Sequence, residues 1–171
     1  MSGVETVLAL SHPLVVAMLG AAVLIIWRND QNRPGYLLHF GIAYLTYSIA
    51  VTIQITTIPS FVPLNVFLSG LLYMMAVILL THGLVVLSGR RYTYWIPVLL
   101  SVIMMAARLY FTLIDNDTKL RFYLLNGAIF VILLHGSVLA RDLLKGLSAE
   151  KTLHLSFLGL ALSTVPRVLF G

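Results

Sequence analysis

The chain has 171 residues, of which 60% are hydrophobic and only 10% charged, against roughly 25% charged in a soluble globular domain. A water-soluble fold of this size cannot hide so much apolar surface, so lipid must cover part of it, and the chain reads as one integral membrane domain. Eleven Lys+Arg against six Asp+Glu give a formal net charge of +5, but the basic residues cluster at the ends of apolar runs, which points to membrane topology and not to nucleic acid; the lack of cysteine excludes disulfides and thiolate metal centres.

A helix needs about 20 apolar residues to cross the hydrocarbon core, and six runs reach that length. The N-terminal stretch has neither a charged leader region nor a small-residue cleavage site, so the first run, about 8–27, is expected to stay in the membrane. It ends at Trp27 and Arg28. The loop RNDQNRPG (28–35) leads to the second run, about 36–57. There AYLTYS (43–48) sets Tyr44 and Ser48 four apart on one face, an arrangement suited to hydrogen bonding between helices. The third run, about 64–88, ends in GRRY (89–92). The fourth, about 93–114, opens on an interfacial belt of Tyr92, Tyr94 and Trp95 and takes Pro97 in its first turn. The fifth, about 120–140, and the sixth, about 152–171, are joined by RDLLKGLSAEK (141–151). Pro166 is expected to kink or shorten the sixth. Barrel strands are about 10 residues long and alternate in polarity. These runs do neither, so the expected fold is all-α: a bundle of six transmembrane helices in a single polytopic domain, residues 1–171.

Arg28, Arg33, Arg90, Arg91, Arg141, Lys145 and Lys151 all fall in or beside three of the loops. The other two loops, TIPSFVP (57–63) and DNDTK (115–119), carry one lysine between them. The positive-inside rule assigns the basic end to the cytoplasm. Six crossings then leave the N-terminus and the chain end on the periplasmic side of a bacterial inner membrane.

Two segments, VILLTHG (77–83) and VILLHG (131–136), place a histidine and a glycine deep in apolar sequence. At 1.5 Å per residue, His82 lies about 12 Å along its helix from Arg90, and His135 about 9 Å from Arg141. They are therefore expected at similar depth on helices that run the same way. Neutral imidazoles so placed suit the two axial positions of a haem b, or a metal or quinone site, with each glycine letting a flat macrocycle approach. His39 and His154, nearer the basic end, are further candidate ligands. The competing reading has His82 and His135 bonded to Thr81, Ser88 or Ser137, with Gly83 and Gly136 allowing close helix contact. No helix carries two histidines four apart, which favours packing, and no separate metal site is expected.

A second polar zone lies toward the other end: Gln54, Asn65, Ser69, Arg108, Asn126, Ser163 and Arg167. An arginine at mid-bilayer costs ~2.5–3.5 kcal/mol on insertion scales. Either Arg108, Gln54, Asn126, Ser69 and Arg167 form a shallow ligand pocket for a polar or anionic small molecule, or Arg108 snorkels to Asp115 and Asp117. No nucleophile–base pair, phosphate loop or carboxylate dyad occurs, so no catalysis is expected.

The course IIWRNDQNRPGYLLHFGIAYLTYSIAV (25–51) resembles the multi-helix membrane region that precedes many bacterial GGDEF diguanylate cyclases. So does LNVFLSGLLYMMAVILLTHGLVVLSGRR (64–91), with a small polar residue, a long apolar run, a glycine and a basic end, and LHGSVLARDLL (134–144) agrees in style. The resemblance implies a sensory, homodimeric membrane module without activity of its own, coupling a ligand or a redox or haem state to a cytoplasmic cyclic-di-GMP output. The chain itself contains no GGDEF motif. A GGDEF domain in cis beyond Gly171 would require a seventh crossing. Two other classes fit the composition: a small b-type cytochrome or quinone-reactive electron-transfer subunit, and a structural subunit of a larger membrane complex.

Overall fold

The computed structural model describes the backbone of residues 3–115 and 117–169, and the side chains of 8–115 and 117–164. Among these residues the chain forms six α-helices and no strand: α1 (Gly3–Asn29), α2 (Gly35–Thr56), α3 (Val62–Leu87), α4 (Trp95–Leu113), α5 (Thr118–Leu139) and α6 (Ser148–Leu169). The helix ends follow local chemistry. Pro63 occupies the first turn of α3, where a missing N–H costs nothing. Gly89, with φ 72°, closes that helix in the left-handed region. Asp117 caps α5 by accepting a hydrogen bond from the Leu120 N–H at 2.9 Å.

Five helices, α1 from Leu8 onward through α5, are long and apolar enough to cross a membrane. The end of the expected sixth crossing lies outside the residues whose side chains are described. At 22 residues α6 has the length to cross a membrane, but its side chains are described only as far as Thr164, and it is not among the five. It also begins at Ser148, not near 152, because the connection from α5 is taken up by a short 3-10 turn at Arg141–Lys145. Likewise α1 begins at Gly3, not near 8, and α6 continues through Pro166 to Leu169.

Helix α3 is the hub. It packs on α2, α4 and α5, while α1 packs on α2 and α6 on α5. The core joins Met74, Leu84 and Val85 of α3 to Met104 and Met105 of α4, Ile132 and Leu133 of α5, and Phe157 of α6. The outer faces are just as apolar. Leu14, Met18, Ile25 and Ile26 of α1 and Val98, Val102 and Ile103 of α4 are exposed. In water, such faces would forfeit about 25 cal/mol for each Å² left uncovered. Acyl chains remove that penalty, and with five spanning helices the protein is a multi-pass membrane protein.

Three connections gather at one end. Arg90, between α3 and α4, donates from Nε to Asp142 Oδ2 at 2.6 Å and pairs with it through Nη2. This is the salt bridge found among the described residues, and it ties the α3–α4 and α5–α6 connections together at the basic end.

Candidate functional site

The four histidines expected to hold a cofactor lie in the half of the bundle near the basic end, where His82 and His135 border tyrosines. On α2, His39 donates from Nδ1 to the Gly35 carbonyl at 2.6 Å, which leaves Nε2 as the acceptor of its neutral form. Its ring meets that of His82 on α3 edge to face, with centroids 4.1 Å apart. The Tyr94 hydroxyl lies 2.8 Å from His82 Nδ1, and the Tyr92 ring stacks on the same imidazole at 5.5 Å. On α5, His135 meets the other side of this cluster through Tyr92, with centroids 6.3 Å apart. Tyr92 is buried, and its hydroxyl lies 2.8 Å from Thr81 Oγ1. His82 and His135 thus both border one tyrosine. His154 is buried on α6 with Nδ1 unpartnered, as is Nε2 of His135.

The glycines beside His82 and His135 are explained by packing. A β-carbon on Gly83 would lie 2.7 Å from Phe40 Cε1 of α2, and one on Gly136 would lie 2.8 Å from Thr81 Cβ of α3. Protein atoms, not an open slot for a macrocycle, occupy the space above each glycine. No group of three His, Asp or Glu among the described residues could hold a metal ion. Tyr92 and Tyr94 lie in the connection outside the helices. Burial pushes the Tyr92 hydroxyl up to about 12, against a smaller opposing effect of the Thr81 hydrogen bond. Burial also raises Tyr94. Both therefore remain neutral hydrogen-bonding groups near neutral pH.

The second polar zone borders a half-open cavity. It has a volume of about 470 Å³ and lies among α1, α2, α3, α5 and α6. Its polar groups include Gln54, Tyr73 and Asn126, with Ser163 and Thr164 on α6. Toward the basic end the wall is apolar: Val77, Leu80, Leu133 and Leu160. Tyr73 donates its hydroxyl to Gln54 Oε1 at 2.8 Å, so α2 and α3 share one polar contact at the wall. Asn126 is buried and donates to the Phe122 carbonyl of its own helix at 2.9 Å. That bond uses one amide hydrogen and leaves the side-chain oxygen as an acceptor.

Of the five pocket residues expected from sequence, Gln54 and Asn126 line this cavity. Ser69 and Arg108 do not. Ser69 is buried beside it on α3, with its hydroxyl turned back to the Val66 carbonyl at 3.4 Å. Arg108 reaches α3 at Gly70. Only 7% of it is exposed, and neither Nε nor Nη1 has a hydrogen-bond partner. It therefore does not snorkel to Asp115 and Asp117. Arg167 lies outside the residues whose side chains are described. Asn65 serves the backbone, donating to the Ile53 carbonyl at the end of α2 at 3.0 Å.

His12, Tyr44, Tyr47 and Tyr73, none of them expected in the pocket, also line the cavity. The available signal was polar-tipped aromatics inside apolar runs: Tyr44 and Tyr47 are three apart, and His12 of α1 meets Tyr47 edge to face at 6.1 Å. The Tyr44–Ser48 face splits its roles. Tyr44 faces the cavity, whereas Ser48 donates to the Pro13 carbonyl of α1 at 2.7 Å, a hydrogen bond between helices.

Comparison with protein-family models, with curated proteins and with solved structures gives no match to this chain.

Proposed function

We propose that the chain is a sensory module of a bacterial inner membrane that binds a small molecule in the 470 Å³ cavity and passes occupancy to a cytoplasmic signalling output. The observation that carries this reading is the cavity itself. A concave, largely apolar space with a few convergent polar groups is the usual form of a small-molecule site. Gln54, Tyr73 and Asn126 supply those groups.

The resemblance to the membrane regions of GGDEF diguanylate cyclases gives the output its class: control of cyclic-di-GMP synthesis by a domain in cis. In this reading α6 is a sixth crossing, the basic end is cytoplasmic, and a second copy of the chain completes a homodimer. Helix α3 is the natural transmitter. It lines the cavity with Tyr73, Val77 and Leu80, then continues to Thr81 and His82, which hold Tyr92 and Tyr94 of the cytoplasmic connection. A ligand that moves α3 by an ångström or two would shift that connection and, through Arg90 and Asp142, the α5–α6 turn.

The test is a ligand screen on the purified chain by thermal stabilisation. A ligand at 100 times its Kd raises stability by about 2.7 kcal/mol. Asn126→Leu and Gln54→Leu should each cancel the gain. A ligand that stabilises both variants as well as the parent binds elsewhere, and the proposal fails. The coding sequence after codon 171 tests the output: a GGDEF reading frame supports the coupling, and an immediate stop codon overturns it.

A further inference from the structure

Among the described residues, Arg108 is a guanidinium without a protein counter-charge. It is 7% exposed, and its Nε and Nη1 are buried and unpartnered. No salt bridge to it occurs among the described residues. Its surroundings add a second cation instead of an anion. Arg121 of α5 is an electrostatic neighbour. Arg121 Nη1 donates to Thr112 Oγ1 at 3.1 Å, and that hydroxyl donates to the Arg108 carbonyl at 2.6 Å. A buried charge left unpaired costs several kcal/mol, far more than a well-packed apolar replacement. Among the described residues no protein group meets that cost.

Arg108 does not itself line the cavity, but its site adjoins it through α3. On α3 the residues facing the cavity are Tyr73, Ala76, Val77 and Leu80. A helix repeats its face every three to four residues, so Gly70 is the next position of that stripe toward the α2–α3 end. The Arg108 guanidinium lies over Gly70, where a β-carbon would collide with Nη1. Tyr73, one turn on, both lines the cavity and is an electrostatic neighbour of Arg108. Along one axis, then, the order is buried cation, polar ring of Tyr73, Gln54 and Asn126, then apolar walls at Leu80, Leu133 and Leu160.

We infer that the ligand is an amphiphilic anion whose carboxylate or phosphate lies against Arg108 and whose apolar chain runs down the cavity toward the basic end. This rests on the cavity being the ligand site, as proposed above, and names the chemistry of its occupant. The anionic head has two sources, a free single-chain carboxylic acid or an acidic bilayer lipid. The uncharged end of the cavity suits either tail.

The experiment uses the full chain in nanodiscs of zwitterionic phosphatidylcholine and titrates laurate and, separately, its neutral counterpart dodecanol. Laurate is expected to bind at least tenfold more tightly than dodecanol. Arg108→Gln should remove that preference. Gly70→Ala, which keeps the charge but displaces the guanidinium, should weaken laurate severalfold. Repeating the titration with phosphatidylglycerol in the disc separates the sources. Loss of laurate binding there assigns the site to bilayer lipid, and unchanged binding assigns it to a free acid; either result supports an anionic head. Equal affinity for laurate and dodecanol, or an unchanged laurate preference in Arg108→Gln, overturns the inference while leaving the cavity as the ligand site. No binding of laurate, and none of phosphatidylglycerol by native mass spectrometry of the discs, also overturns it. The cavity reading then stands or falls on the separate screen with Asn126→Leu.

Discussion

Tyr73 and Gln54 are joined by a 2.8 Å hydrogen bond that crosses from α3 to α2 at the wall of the cavity. Interhelical side-chain hydrogen bonds in membranes average about 0.6 kcal/mol and reach about 1.7. Tyr73→Phe should therefore lower stability by roughly 1 kcal/mol or less, read by denaturant unfolding in mixed micelles. Its effect on ligand binding should be larger than its effect on stability, because the freed Gln54 amide reorients in the cavity. Equal losses in both would make Tyr73 a packing residue only.

Arg108 makes a prediction of opposite sign. Because its Nε and Nη1 are buried without a partner among the described residues, Arg108→Leu should stabilise the ligand-free protein, by about 1–4 kcal/mol if the new side chain packs well. The same variant should gain nothing from laurate. Destabilisation of the ligand-free form would mean that the arginine is satisfied within the fold.

The contact between Gly136 and Thr81 fixes how closely α5 approaches α3. Gly136→Ala places a methyl group 2.8 Å from Thr81 Cβ, and overpacking of this kind typically costs about 1–3 kcal/mol. Gly127→Ala, on the same helix but with open space above it, is the control and should be neutral or slightly stabilising. Thermal denaturation of the two variants side by side decides the matter.

Tyr92 sets a pH limit on the α3–α4 connection. Burial raises its hydroxyl in the folded protein from the ordinary 10.0 to about 12, so the folded state favours the neutral phenol. That contribution is complete below pH 10 and is lost as pH rises through 12. It amounts to something on the order of 2 kcal/mol. Stability measured between pH 9 and 12 should fall, and the fall should be smaller in Tyr92→Phe, which also loses the Thr81 contact at every pH. A parallel decline in both proteins would assign the effect to other groups.

The absence of cysteine allows the orientation to be read directly. Arg91→Cys, on the exposed connection after α3, should resist an impermeant maleimide applied to intact cells and react after permeabilisation. Ser60→Cys, on the exposed α2–α3 connection, should behave in the opposite way. Labelling of Arg91→Cys in intact cells would invert the bundle.

Apolar length and the placement of arginines determined most of the architecture before any coordinates. A run such as 64–88 is long enough to cross lipid, and inside lipid its backbone must form its own hydrogen bonds, so helix is the available answer. The two ends of the bundle were legible for the same local reason, because Arg90 and Arg91 adjoin the end of an apolar run whatever it packs against. Gln54 and Asn126 were legible as cavity residues because a polar amide in an apolar run is costly unless it has a purpose.

Tertiary structure decided what the histidines and Arg108 face. VILLTHG and VILLHG are alike in sequence, yet Gly83 meets Phe40 of α2 and Gly136 meets Thr81 of α3. A one-residue periodicity argument gives depth along a helix but not rotation about its axis relative to neighbours 8–10 Å away. Rotation is fixed by how all the helices interlock. It put Tyr92 between the imidazole of His82 and that of His135, turned Arg108 onto Gly70 and away from its loop aspartates, and left the cavity among α1, α2, α3, α5 and α6. The sequence set which side chains lie at each depth; packing chose which of them face one another.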